Sequence, residues 1–248
     1  MAQLLWALGY AEQAEQRSQE ALALAQQLEH PPSLAHAHFY AAVLAQFRRD
    51  VAATAARADV LMAFASAHGL GHRIAHGRIL GGWALAMQGE AAAGVTQIRQ
   101  GLAVQDVVGP KMGRAYFLGL LAEASGQAAQ PEAGLTVLAD ACTLVAETEA
   151  RWWEAELYRL QGELLRQLPC PEVDQAEACF QQALDVARRQ QAKVLELRAA
   201  LSLARLWQGQ GQRAAARQLL AERYPWFTEG FDTADLQEAQ ALLEALGA

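Results

Sequence analysis

The chain has 248 residues, of which 53% are hydrophobic, and a formal net charge of −7 at pH 7. This length allows one large domain, two small domains or an elongated repeat array. The negative charge, without any stripe of Lys and Arg to neutralise phosphates, argues against a nucleic-acid-binding protein.

Targeting and membrane signals are absent from the sequence. The start, "MAQLLWALGYAEQ", lacks the basic region of a signal peptide, and the apolar run "ILGGWALAM" is far shorter than the roughly 20 residues of a membrane span. Cys142, Cys170 and Cys179 form no CxxC pair, which is typical of a reducing compartment. We therefore expect a cytoplasmic protein that has no contact with a membrane.

Small and large apolar residues recur along the chain with a period of about 40 residues. Gly9 opens the pattern, and Gly89 and Gly126 follow in later units. In the stretch Ala176 to Ala187, Phe180 stands between small residues one helical turn to either side. Glycine supplies turns and small residues let helices approach, so the pattern predicts stacked helical hairpins.

The predicted fold is an all-α, right-handed superhelix of about six hairpins with a capping helix at the C-terminal end. No useful length of strand-like alternation interrupts it. The hairpin ranges are 1–30 (a partial hairpin), 33–69, 72–107, 110–148, 151–190 and 193–222, with the cap at 224–248.

The spacings in Gly82–Leu102 and Gly162–Ala187 resemble the tetratricopeptide repeat (TPR), although Tyr158 stands where that family usually has a tryptophan. The units are also longer than the family's usual repeat. The resemblance makes Cys179 a neighbour of the packing residue Phe180. We therefore expect a buried structural thiol here rather than a nucleophile, which needs an electropositive and accessible setting.

Motifs of enzyme chemistry are missing. "GEAAAGVT" has the two glycines of a phosphate-binding loop but a valine in place of its lysine. His72 and His76 have a spacing that suits two metal ligands, yet no Cys, Asp or Glu completes a tetrahedral set. We expect no cofactor, no metal and no catalytic residue. An enzyme that uses Cys179 or the histidines is the third and weakest hypothesis.

The last segment departs from the repeat. Trp226, Phe227 and Phe231 precede a final amphipathic helix that begins near Asp232 or Thr233. We expect these aromatic residues to pack on the sixth hairpin and the helix to cover that end of the stack, as repeat arrays require.

Three stretches, "RWWEAELYRLQGELL", "ARRQQAKVLELRAALSLARLW" and "WFTEGFDTADL", carry a second resemblance. They are similar to the C-terminal helical region of large bacterial signalling proteins, which have a nucleotide-cyclase or LuxR-type output domain and a STAND-type ATPase. The resemblance covers most of the chain and is strongest after about residue 140. It implies a sensor or regulatory arm, and no catalytic motif of those proteins is present to carry over.

Only a short segment precedes Gly9, so the first hairpin lacks about half of its first helix. We expect an open N-terminal end that contacts missing N-terminal domains of the same polypeptide. In their absence, Leu4, Leu5 and Leu8 would form a homodimer interface.

In TPR-like stacks the first helices of successive hairpins line a concave groove, which is the predicted site for a protein or peptide partner. Its N-terminal half should be apolar and its other half charged. The alternative is that Trp83 and Phe39 are core residues and the charged residues form a solvated face. The groove residues are His36, Phe39, Val43, His76, Ile79, Trp83, Tyr116, Leu120, Glu156, Arg159, Glu163, Arg198 and Arg205.

Two hypotheses about function follow. The first is a non-enzymatic scaffold for protein–protein interactions, acting as a regulatory arm. The second is a small-molecule sensor with a pocket in the second and third hairpins. An open continuous groove would favour the first, and a closed apolar pocket with a few convergent polar groups would favour the second.

Overall fold

The structure, a computed structural model, describes residues 1–108 and 113–247. All regular elements in this part are helical, and no strand occurs in it. The predicted start of the fourth hairpin, Pro110, and the predicted end of the cap, Ala248, lie outside the described residues. The fold is an α-solenoid of helical hairpins with a final helix, as the repeat pattern predicts.

The described helices pair in chain order, from α1 with α2 to α11 with α12, and α13 follows alone. Two short 3-10 helices, Arg151–Trp153 and Tyr224–Trp226, precede α9 and the C-terminal segment. The bounds are α1 Ala2–Ala7, α2 Ala11–Gln27, α3 Pro31–Phe47, α4 Val51–Ala67, α5 Gly71–Met87, α6 Ala91–Val108, α7 Arg114–Gln127, α8 Pro131–Thr148, α9 Glu154–Arg166, α10 Val173–Arg189, α11 Lys193–Gly209, α12 Arg213–Ala221 and α13 Ala234–Gly247.

The first five turns between helices share one feature of backbone conformation. A residue with positive φ stands at equal intervals along the first half of the chain, at Gly9, Glu29, Arg49, Gly69 and Gly89. At Gly9 and Arg49 the next N–H donates back into the preceding helix, from Tyr10 to Leu5 and from Asp50 to Ala45 (2.9 and 3.0 Å). This left-handed ending satisfies helix carbonyls and reverses the chain in few residues.

Close packing within hairpins explains the small residues of the repeat. A Cβ added to Gly162 of α9 would lie 2.5 Å from a ring carbon of Phe180 of α10. Phe180 is completely buried, so its ring fills the space that a larger residue at 162 would occupy. At Gly82 of α5 an added Cβ would meet the carbonyl oxygen of Gly94 of α6 at 2.9 Å.

The two ends of the solenoid meet. Helix α1 packs against α2, α3 and α11, and a Cβ added to Gly9 would lie 3.1 Å from the ring of Phe227. Glu229, in the C-terminal segment, accepts hydrogen bonds from the N–H groups of Glu12 (2.9 Å) and Gln13 (3.1 Å) and so caps the N-terminus of α2. The expectation of an open N-terminal end is therefore wrong, because the last hairpin comes to lie beside the first.

The C-terminal helix covers the sixth hairpin as predicted, but the aromatic residues before it do not pack there as a group. Helix α13 packs on α11 and α12, but Trp226 and Phe231 are exposed by 41% and 49%. Phe227 is the one buried member of the three, and it lies against the turn at Gly9. The aromatic segment thus bridges the last and first hairpins. Across the part of the chain described, no helix combines the length and apolarity needed to cross a bilayer.

Candidate functional site

The inner face of the closed solenoid surrounds a cavity of about 460 Å³. Residues from α1, α3, α5, α7 and α11 and from the short helix before α9 line it, so every hairpin contributes through its first helix or the residues beside it. Eight of the lining residues are aromatic: Trp6, Phe39, Tyr40, Phe47, Tyr116, Phe117, Trp152 and Trp153.

The floor of the cavity is a packed group of buried rings. Phe47 stacks on Trp153 with centroids 4.8 Å apart and an interplanar angle of 14°, and Trp6 lies 4.6 Å from Phe47. Tyr116 meets the edge of Phe47 at 85°, and its hydroxyl donates to Gln46 Oε1 at 2.8 Å. Because that hydroxyl is satisfied inside the protein, the floor presents mainly apolar ring surface.

The mouth of the cavity is formed by exposed residues from three segments. Leu4 of α1, His36 and Tyr40 of α3 and Trp152 before α9 all have exposed side chains. An entering molecule would pass these residues before it reached the buried rings. These exposed residues mark where the cavity opens to solvent.

One cation, Arg73 of α5, stands at the edge of this aromatic surface. Its guanidinium lies over the ring of Phe39 at 4.8 Å, and its Nη2 donates to His36 Nδ1 at 2.7 Å. Its Nη1 donates to His76 Nδ1 at 3.4 Å. In the described ranges no carboxylate pairs with Arg73, and residues 109–112 and 248 include no Asp or Glu side chain.

The contacts of Arg73 fix the proton on His76. A guanidinium has donors and no acceptor, so His76 Nδ1 must accept and the neutral ring must carry its proton on Nε2. His76 Nε2 is buried and finds no hydrogen-bond partner among the residues described. His76, one of the lining residues, therefore has a buried N–H donor without an acceptor among the described residues, which is rare in a folded protein.

The histidines around Arg73 are held in the neutral form. Burial, and then the positive charge of Arg73, lower the pKa of His36 and of His72. The same two causes lower the pKa of His76 to about 3. Near neutral pH, Arg73 is therefore the positively charged group among the described residues at this edge.

The apolar half of the predicted groove divides into two sets. His36, Phe39, Val43, His76 and Tyr116 line the cavity. By contrast, Ile79, Trp83 and Leu120 are buried in the packing between helices, and Trp83 Nε1 donates to Glu123 Oε2 at 2.7 Å.

The charged half of the predicted groove is occupied by intramolecular ion pairs. Glu156 pairs with Arg159 at 2.7 Å, and Arg159 lies 3.6 Å from Glu163. Arg198 pairs with Asp235, and Arg205 pairs with Glu238. Although burial raises it, the charges of Arg159 and Arg198 lower the pKa of Glu156 to about 2. These side chains join α9, α11 and α13 and are already paired.

The residues considered for chemistry do not come together as a reactive site. In the described part of the chain, no group of three His, Cys, Asp or Glu side chains is arranged to hold a metal ion. Cys179 is half-buried beside Phe180 rather than fully buried, and burial raises the pKa of its thiol. A thiol with a raised pKa is a poor nucleophile at neutral pH.

Several cavity residues are missed by sequence reasoning. Phe47 lies two helical turns after Phe39 and one after Val43, so continuing the helical spacing would have found it. Arg73 lies one turn before His76 on the same helix face, so the helical spacing of His76 also indicates Arg73. Trp6 and Trp153 reach the cavity because the solenoid closes, and no local pattern carries that information.

The sequence of this chain has only distant similarity to the known proteins that it matches. No family model matches the chain. It is 26% identical, over 206 residues, to an uncharacterised protein of Rhizobium meliloti (strain 1021), and the match covers 83% of this chain and 20% of that protein. The chain thus spans about a fifth of the length of this curated relative.

Two solved structures resemble the fold. One contains the nearly identical TPR-like repeats of a Podosopora anserina kinesin light chain, with a TM-score of 0.52, 16% identity and coverage of 88% of this chain and 98% of that one. A single-substitution variant of it has a TM-score of 0.53 and 17% identity, covering 80% of this chain and 96% of that one. These likenesses show that the chain has a TPR-like helical repeat fold.

Proposed function

We propose that this chain is a non-catalytic sensor arm of a larger signalling protein, and that it binds a small organic molecule in the aromatic cavity. The observation that carries the proposal is a cavity of about 460 Å³ that is lined by eight aromatic side chains. Small-molecule sites have volumes of about 300–1,000 Å³ and mostly apolar walls with a few polar groups. The cavity agrees with this description.

The fate of the predicted groove also supports a small ligand over a long peptide. A peptide groove needs a continuous open surface along successive first helices, and the seam between α1 and α11 interrupts that surface. The charged side chains of the predicted groove, which would have bound a peptide, form ion pairs within the protein instead. The enclosed aromatic part remains as the surface best suited to a ligand.

Two observations support a place within a larger protein. The curated relative is much longer than this chain, which matches only 20% of it. The C-terminal stretches resemble the helical region of bacterial signalling proteins that also have cyclase or LuxR-type output domains and STAND-type ATPases. A sensor arm in such a protein would act by preferring one arrangement of the domains when its ligand is bound.

The closure of the solenoid offers a physical route for that preference. The cavity is lined by both ends of the chain, Trp6 of α1 and Leu195 of α11 among them. A ligand that contacts both ends stabilises the closed arrangement relative to any open one. The free energy available is the difference between its affinities for the two arrangements.

A protein partner is the second candidate, and the exposed mouth favours it. Leu4, Tyr40 and Trp152 place apolar surface around the opening. A partner could insert one aromatic side chain there while it rests on the rim, as anchor residues do in many interfaces. This candidate predicts that free small molecules bind the cavity only weakly.

The test is a ligand-observed NMR screen of aromatic fragments, acidic and neutral, against the wild type and a variant with a filled cavity. Ala7→Trp places a large ring in the cavity, and Ala21→Trp adds the same ring to the exposed face of α2 as a control. We expect fragments that bind the wild type and Ala21→Trp but not Ala7→Trp. Fragments that bind all three proteins equally, or no binding by any fragment, would overturn the proposal.

A further inference from the structure

We infer that the ligand of the aromatic cavity is an aromatic carboxylate, with its acid group on Arg73 and its ring against the buried aromatic floor. This inference rests on the proposed function and names the class of ligand. Three features of the described residues lead to it: the charge of Arg73, the polarity of the neighbouring hydrogen-bonding groups and the shape of the apolar walls.

The charge of Arg73 lacks a counterion within the protein. Other arginines removed from water have one: the partly buried Arg57 pairs with Glu15 at 2.6 Å, and the buried Arg223 pairs with Glu196 at 3.0 Å. Arg73 is half-buried over Phe39, with imidazole rings where a carboxylate would be expected. A guanidinium removed from water without a partner is costly, and a bound anion would offset that cost.

The neighbouring polar groups are donors as well. His36 and His76 both accept from Arg73 through Nδ1, so each neutral ring carries its proton on Nε2. The described residues at the edge of the cavity therefore offer a guanidinium and the imidazole N–H group of His36, and they include no carboxylate. Such a set suits the oxygens of an anion and disfavours an amine or a metal cation.

A single negative charge fits better than two. Among the residues of this edge that the structure describes, Arg73 brings one positive charge and the histidines are neutral near pH 7. A phosphate monoester carries close to two negative charges at that pH, which would leave one uncompensated beside apolar rings. A carboxylate matches the guanidinium in charge and in its bidentate geometry.

The remaining walls select a flat ring. Phe47 and Trp153 are stacked, and Tyr116 stands edge-on to both. Aromatic groups prefer offset-stacked and edge-to-face contacts of this kind, so an added ring gains more than its buried area alone provides. A second, smaller cavity of about 380 Å³ shares His36, His72 and Arg73 with the first, so the guanidinium can also be reached from the outer side.

The experiment compares acids with their uncharged amides by isothermal titration calorimetry. The probes are naphthalene-2-carboxylate and indole-3-acetate, each with its primary amide, against the wild type, Arg73→Gln and Arg78→Gln. Arg78 is exposed on the same helix and serves as the matched control. We expect the acids to bind the wild type and Arg78→Gln about tenfold more tightly than the amides, and Arg73→Gln to lose that preference.

The amides report separately on folding and on the cavity. In Arg73→Gln they should bind within about twofold of wild type, since a neutral ligand makes no ion pair. Amides that bind as tightly as the acids, or acids unaffected by Arg73→Gln, would overturn the carboxylate inference and leave the proposed function standing. Absence of binding by acids and amides alike would overturn both.

Discussion

Arg198 of α11 and Asp235 of α13 form a buried two-pronged ion pair, with hydrogen bonds from Nε at 2.9 Å and from Nη2 at 2.8 Å. The same guanidinium also donates to the carbonyl of Phe47 at the end of α3 and lies 5.1 Å from the ring of Trp6. One side chain therefore joins the C-terminal hairpin, the final helix and the N-terminal half. It holds the closed form of the solenoid behind the aromatic floor.

Replacing Asp235 with Asn should lower the free energy of unfolding by up to about 3–5 kcal/mol, because it removes the hydrogen-bonded charge partner of a buried guanidinium and leaves it only Glu156, at 3.8 Å. Arg205→Ala breaks a more exposed ion pair with Glu238 and should cost less than about 1 kcal/mol. Urea denaturation of both variants makes the comparison. Equal losses would show that the Arg198–Asp235 pair has no special role in closure.

The contact between Gly162 and Phe180 can be tested by adding one methyl group. Gly162→Ala should destabilise the protein by about 1–3 kcal/mol, because the new Cβ would lie 2.5 Å from the Phe180 ring. Gly209→Ala, at the end of α11 with nothing within 4 Å, should be neutral or stabilising by up to about 1 kcal/mol. Thermal unfolding distinguishes the two, and a stable Gly162→Ala protein would contradict the packing.

The hairpins could be predicted from the sequence because their cause is local. Small residues such as Gly162, set against a large one such as Phe180, specify close helix approach wherever they recur. The closure of the solenoid could not be predicted in this way. Closure depends on the curvature that all the hairpins produce together, which brings Phe227 to Gly9. No short stretch of sequence determines that total curvature.

The residues of the candidate site also divide into those that local spacing predicts and those that depend on the whole fold. His36, Phe39, Val43, His76 and Tyr116 were found because helical spacing places them on the inner face. Trp83 has the same spacing, yet its ring is buried and its Nε1 donates to Glu123 of α7. Spacing gives the face of a helix, and the packing at each position along that face decides whether the side chain borders a cavity.

Acid should destabilise the protein through His76 before its carboxylates titrate. Burial and Arg73 lower the pKa of His76 from 6.5 to about 3, so between those values the unfolded chain binds a proton that the folded chain does not. As the pH is lowered through this range, the free energy of unfolding should therefore decrease by about 1.4 kcal/mol per pH unit through this group.

His76→Phe should remove that share of the pH dependence. The groups recorded against His76 are Arg73 and His72 on its own helix and the uncharged rings of Phe39 on α3 and Phe117 on α7, and His36 on α3 shares the Arg73 guanidinium with it. His36 and His72 also have lowered pKa values and will leave some slope in the variant. Urea titrations between pH 7 and pH 5 measure the difference, and identical slopes in the two proteins would contradict a buried neutral His76.

The three thiols should react with Ellman's reagent at different rates. Cys170 is exposed, whereas Cys142 and Cys179 are half-buried and burial raises the pKa values of both thiols. At pH 8 one thiol should react quickly and two slowly, and Cys170→Ser should remove the fast phase. In denaturant all three should react alike. Labelling of Cys179 as fast as that of Cys170 would revive a reactive role for it.

The six tryptophans allow the most direct test of ligand binding in the aromatic cavity. Trp6, Trp152 and Trp153 line the cavity, and Trp83, Trp207 and Trp226 lie outside it. Fluorine NMR of 5-fluorotryptophan-labelled protein, assigned by single Trp→Phe variants, can follow a titration with naphthalene-2-carboxylate. We predict shifts confined to the resonances of Trp6, Trp152 and Trp153. Unchanged resonances for these three, or shifts confined to Trp207 and Trp226, would contradict the account.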